Sequence, residues 1–242
     1  MEPANTVLIT GANKGIGFET ARQLGVMGFT ILLGTRNGEK GREASASLIK
    51  EGVNARHIPL DVTNQQTLDA AFKDIEEEFG SLDVLINNAG ISKDGGVSPS
   101  QLEMSALKET FETNFFGMFA VTRTLLPLLR ERPNGRIVNL SSGLGSLTIN
   151  SDPNSEWSRF NLLAYNSSKT AVNALTVMLA KEFKNTSLKI NAADPGYTAT
   201  DLNRHTGSRS VQQAAEIVVR LATLPEDGPT GGFFDKNGEV PW

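Results

Sequence analysis

The chain has 242 residues, 39% hydrophobic and 21% charged, a composition that supplies a full core and argues against intrinsic disorder. Its net charge of −4, with acids and bases interspersed, leaves no electrostatic footprint for nucleic acid or for an anionic membrane surface. Zero cysteines exclude a disulfide framework, a thiolate metal site and a cysteine nucleophile, and fit a reducing compartment.

The N-terminal stretch "MEPANTVLIT" enters an apolar strand with neither a basic n-region nor a long apolar h-region. No segment approaches the roughly 20 apolar residues of a membrane span. The expectation is a soluble, cytoplasmic protein with no nucleic-acid or membrane partner. Short β-branched runs follow at 6–10, 29–34, 55–62, 82–90, 135–142 and 188–196, and "GGFFD" (231–235) reads as a closing strand. Between them, segments such as "QTLDAAFKDIEEEFG" and "AVNALTVMLAKEF" repeat apolar residues three and four apart, the helical period. This alternation predicts an α/β fold: one domain over 1–242, a Rossmann-like doubly wound parallel sheet of about seven strands flanked by helices. Thr63 and Gln66 are spaced as a capping box for the third helix, Gly80 as its stop, and Pro127 should kink a later one.

"TGANKGIG" (Thr10 to Gly17) joins the first strand to the first helix. A pyrophosphate at a helix N-terminus needs bare backbone N–H groups and close approach, which glycine permits. Gly11, Gly15 and Gly17 are not spaced as G-x-G-x-x-G, so the run alone is also consistent with a glycine-rich turn. Tyr165 and Lys169 lie four apart and share one helix face. A tyrosine with a pKa of about 10 is a reluctant proton shuttle near neutrality, and a nearby ammonium would stabilise its phenolate. Taken in isolation the pair also fits a surface lysine beside a half-buried tyrosine.

Taken together, "TGANKGIG", "NNAG" (Asn87 to Gly90), "YNSSK" (Tyr165 to Lys169) and "DPGYTAT" (Asp194 to Thr200) resemble, in order and spacing, the motifs of the short-chain dehydrogenase/reductase family over essentially the whole chain. The resemblance implies a catalytic set of Asn114, Ser142, Tyr165 and Lys169, with Ser141 the structural alternative to Ser142. It implies cofactor contacts from Gly11, Asn13, Lys14, Gly15, Ile16, Gly17, Arg36, Asp61, Val62, Asn88, Ala89, Gly90, Pro195, Gly196, Thr198 and Thr200, besides Tyr165 and Lys169. Asn114 would support a water beside the lysine or satisfy a helix bulge, roles that are compatible. Asp61 would meet the adenine amino group, although an aspartate at a strand end also forms turns. No metal site is expected, and His57 reads as structural.

The nucleotide's identity turns on "ILLGTRNGEKG" (Ile31 to Gly41). An NAD site wants a carboxylate about 20 residues beyond the glycine turn to accept from the ribose 2′-hydroxyl, and that count reaches Thr35 and Arg36. A guanidinium there can pair with a 2′-phosphate, and Lys14 matches the position where NADP-preferring members of the family carry a second base. NADPH/NADP+ is the expected cofactor.

Substrate contacts should come from the loops at 91–100, 143–164 and 197–210, beyond the carboxyl ends of the strands. Leu144, Trp157, Phe160 and Leu163 in the second, with Tyr197 in the third, suit a small lipophilic ketone or aldehyde. The insertion before Tyr165 and the C-terminal "GPTGGFFDKNGEVPW" resemble the carbonyl-reductase branch of the family, and both monomer and homo-oligomer stay open. Two other readings remain: an alcohol or hydroxysteroid-type dehydrogenase running the reverse reaction, and a non-catalytic NADP(H)-binding sensor on the same fold.

Overall fold

The computed structural model describes residues 5–130, 132 and 134–242. The reading of residues 1–4 as lacking a targeting segment, and the domain's first boundary, lie outside the described residues. Seven apolar runs become β1 (Thr6–Thr10), β2 (Thr30–Thr35), β3 (Ala55–Pro59), β4 (Val84–Asn87), β5 (Arg136–Leu140), β6 (Lys189–Ala193) and β7 (Phe233–Asp235). All seven pair in parallel, in the order β3-β2-β1-β4-β5-β6-β7. The sheet has eight strands, one more than the sequence suggests, because the two-residue β8 (Gly238–Glu239) pairs antiparallel with β7. Asp235 makes that hairpin: its Oδ1 accepts from the N–H groups of Asn237 and Gly238, and Gly238 takes φ 138°. So short a strand carries no periodic signal.

The helices are α1 (Gly15–Val26), α2 (Gly38–Lys50), α3 (Gln65–Phe79), α4 (Met104–Phe111), α5 (Met118–Arg130), α6 (Leu147–Ser151), α7 (Leu163–Glu182) and α8 (Val211–Ala222). Strand alternation divides the core in two. Val7, Ile9, Ile31 and Leu33 meet Leu24, Leu48 and Leu221 from α1, α2 and α8 on one face. Leu8, Leu32 and Leu85 meet Ile75, Leu125 and Ala180 from α3, α5 and α7 on the other. Each fully buried leucine contributes roughly 1.5–3 kcal/mol. Among the described residues, no helix is long and apolar enough to cross a membrane.

One local expectation changes. The cap of α3 is Asn64, whose side chain accepts from Gln66 N–H, and not Thr63. Thr63 donates instead to the Asp61 carboxylate, a stronger acceptor within reach. Asn114 lies in a π-helical segment, Glu112–Gly117, between α4 and α5, in agreement with the helix bulge expected there. Gly80 ends α3 with φ 70°, as expected. Pro127 lies inside α5, which continues to Arg130.

Candidate active site

The strand order reverses between β1 and β4, and at such a switch point the carboxyl ends of the strands open a crevice. The glycine turn sits there. Gly11 (φ 65°) and Gly15 (φ 60°) occupy the left-handed region, and a Cβ on Gly17 would lie 2.5 Å from Asn88 Nδ2. Thr10 Oγ1 accepts from the N–H groups of Asn88 and Ala89, while Asn88 Nδ2 donates to the Thr10 and Gly11 carbonyls. Asn88 thus braces the turn. Lys14, at the N-cap of α1, offers no side-chain cap, so the first-turn N–H groups are left for an anion. The turn and this uncapped helix end fit a dinucleotide pyrophosphate.

The other cofactor candidates divide. Arg36 is exposed at the end of β2 and forms no ion pair among the described residues. Lys14 reaches across the crevice to pair with Asp201, whose other oxygen meets His205 Nε2 at 2.7 Å. Hydrogen bonds from Lys14 and then His205 hold the Asp201 carboxyl below the usual range. Asp61 Oδ1 is engaged in its own turn with Thr63, and Val62 is buried. Thr198 Oγ1 donates back to the Pro195 and Gly196 carbonyls, whereas Thr200 stands over Gly15, its methyl 3.9 Å from where a Cβ there would lie. A Cβ on Gly90 would come 3.5 Å from Asn114 Oδ1 and 3.7 Å from Lys169 Nζ, so these three converge. Asn13 and Ile16 are half-buried on the same turn.

Tyr165 and Lys169 sit on α7 facing the end of β5. Lys169, 4% exposed, donates from Nζ to the Leu140 carbonyl at 2.7 Å and lies 5.7 Å from the Tyr165 ring centroid. Ser142 follows β5 and lines the cavity beside Tyr165, its Oγ accepting from Leu144 N–H. Ser141 is buried and donates to Asn173 Oδ1, which leaves Ser142 as the serine that lines the cavity. Asn114 is fully buried: Oδ1 accepts from Ile91 N–H, and Nδ2 donates to the Ile91 carbonyl and Ser168 Oγ.

Burial pushes the Tyr165 phenol up to about 12, with the Asp194 carboxylate adding and Ser142 opposing. Burial brings Lys169 down to about 8. The expectation from spacing, an ammonium lowering the phenol, is therefore outweighed by desolvation. As the protein builds it, the site holds Tyr165 protonated.

A cavity of about 570 Å³ opens over Tyr165 and Ser142, lined from all three expected loops. Trp157, Phe160 and Tyr197 form one aromatic wall, with centroids 5.8, 6.3 and 6.1 Å apart, and Leu144 joins them. Leu163 does not: it is exposed at the start of α7, and Leu162 takes its place on the cavity. Two carboxylates have no role assigned by the motifs. Asp194 lies in the cavity wall, lifted above the usual carboxylate range by burial against the pull of the Gly196 and Gly143 N–H groups. Asp94, 2% exposed, reaches α7 from the loop after β4. Its only sequence signal was the following Gly95-Gly96 pair, which turns the loop at φ 63° and 77°.

A dinucleotide crevice beside a tyrosine–lysine pair defines a nucleotide-dependent oxidoreductase. The family described as short chain dehydrogenase matches residues 5–210, and the chain belongs to it. Short-chain dehydrogenase anuI of Penicillium roqueforti is 38% identical, covering 90% of this chain and 88% of that one. (−)-Isopiperitenone reductase of Mentha piperita is 34% identical, with 95% and 96% covered. The structure of NADPH-bound carbonyl reductase from chicken fatty liver superposes with a TM-score of 0.86 at 25% identity, covering 99% of each chain.

Proposed function

We propose that the protein is an NADPH-dependent reductase of small lipophilic ketones or aldehydes. The observation that carries this reading is the convergence of Ser142 and Tyr165 on one apolar-walled cavity, with Lys169 buried behind them. The uncapped glycine turn and the relative solved with NADPH support the cofactor, as does Arg36 where an NAD site would want an acid. Bound there, NADPH supplies the hydride.

The residues supply the rest. Ser142 and Tyr165 donate hydrogen bonds to the carbonyl oxygen as negative charge develops on it. Tyr165 then delivers its proton to the alkoxide. A phenol held protonated at neutral pH carries the proton that reduction of a carbonyl requires. Lys169 lies near enough to stabilise the phenolate left behind, and its weakly held proton can replace the one given up. Asn114 fixes the loop that faces them.

The test is a spectrophotometric panel of ketones and aldehydes with NADPH and NADH side by side, on the wild type and on Tyr165→Phe. Turnover with NADPH in the wild type, lost by roughly 1,000-fold or more in the variant with nucleotide binding intact, is the expected result. Retained turnover in Tyr165→Phe would sink the mechanism.

A further inference from the structure

The backbone of Tyr165 is fastened at both ends to the loop after β4, although the two lie more than 70 residues apart. Asp94 presents one carboxylate oxygen to Ala164 N–H at 2.7 Å and the other to Tyr165 N–H at 3.1 Å. Ser92 Oγ donates to the second oxygen at 3.2 Å. The N-cap of α7, Leu162, contributes no side-chain cap, so Asp94 caps this helix from a distant segment. At the other end, Ser168 Oγ donates to the Tyr165 carbonyl at 2.8 Å and accepts from Asn114 Nδ2, which also clamps Ile91. Lys93 pairs with Glu109 at 2.8 Å, securing the loop to α4.

We propose that Asp94 is a positioning residue for the proton donor: it locks the first turn of α7, and with it Tyr165, to the loop that walls the substrate cavity. The proposal rests on the reductase reading above. Stability alone would not require this arrangement, since a serine or aspartate at position 162 would cap the helix locally. A carboxylate brought in from the cavity wall adds a fixed distance between that wall and the phenol. It also places a full negative charge at the positive end of a 20-residue helix, where both its hydrogen bonds are charge-assisted. An asparagine in its place has one acceptor oxygen and no charge, so one of the two N–H groups loses its partner.

The experiment combines Asp94→Asn with Ser92→Ala, a milder change that removes only the hydroxyl steadying the carboxylate, and with Asn64→Ala as a control. Asn64 caps α3 and takes no part in the site, so its loss costs stability without touching Tyr165. In Asp94→Asn, amide exchange at Ala164 and Tyr165 should rise about 10-fold or more. Its kcat should fall by roughly 10–100-fold, the scale of a misplaced reacting group. The NADPH dissociation constant should stay within about twofold of wild type, because the fault lies in orientation and not in binding. Ser92→Ala should show the same pattern weakly, and Asn64→Ala should melt earlier at unchanged kcat.

Exchange unchanged in Asp94→Asn would remove the tether itself, whatever reaction the protein catalyses. Faster exchange with unchanged kcat would leave a cap without a positioning role. A wild type that reduces no carbonyl would overturn the functional reading and the positioning role with it, while the exchange rates still decide the tether.

Discussion

Replacing Lys169 by methionine should make the protein more stable at neutral pH and less stable in alkali. Burial brings this lysine from its ordinary 10.5 down to about 8, and no carboxylate compensates. At about 1.4 kcal/mol per pH unit, holding the buried ammonium charged opposes folding by ~3 kcal/mol at any pH below 8. Between pH 8 and 10.5 the native side chain is neutral while the unfolded one still carries its proton. The unfolded state then binds more protons, so wild-type stability climbs with pH across that window and the penalty is gone above it. Methionine fills the same space without titrating, but forfeits the bond to the Leu140 carbonyl, worth about 1–2 kcal/mol. The variant should therefore be about 1–2 kcal/mol more stable than wild type at pH 7 and less stable by a similar amount near pH 10.5. Urea unfolding followed by circular dichroism at intervals from pH 7 to 10.5 gives the difference, in which every other titrating group cancels. A difference constant within about 0.5 kcal/mol across that range would show that Lys169 holds its proton like a solvated lysine, contrary to its burial.

Arg36→Ala should raise the Michaelis constant for NADPH by roughly 10-fold or more and that for NADH by less than about twofold; equal effects would refute a phosphate contact. Lys14 reaches a 2′-phosphate only by leaving Asp201, so Asp201→Asn should tighten NADPH binding, measured by fluorescence titration, and an unchanged affinity would remove Lys14 from that site. Gly17→Ala should lower the melting temperature despite alanine's better helix propensity, because its Cβ would meet Asn88 Nδ2 at 2.5 Å, an overpacking cost of about 1–3 kcal/mol. A higher melting temperature would show that Asn88 can leave the turn freely.

What was legible in the sequence is local. β1, β2 and β4 could be read because each is buried on both faces and appears as a short, mostly apolar run. Tyr165 and Lys169 could be paired because helical spacing alone puts them on one face. Spacing does not decide between Thr63 and Asn64 as the α3 cap, because that choice depends on where the Asp61 carboxylate lies. Leu162 and not Leu163 lines the cavity, because a one-residue difference in where α7 begins turns a cavity wall into a solvent-facing position.

The sequence by itself determined the layer order, the glycine turn and the kinds of side chain available for chemistry, since these follow from periodicity and residue type. Only the tertiary structure decided how those groups are held and charged. Ser142 is separated from Ser141 by which one Asn173 captures, and Lys14 is turned to Asp201 by a loop nearly 190 residues away. Tyr165 is kept protonated by its burial and by Asp194, and its backbone is fixed by Asp94 and Ser168. Desolvation and long-range hydrogen bonds depend on which segments meet in space, and no spacing along the chain encodes that.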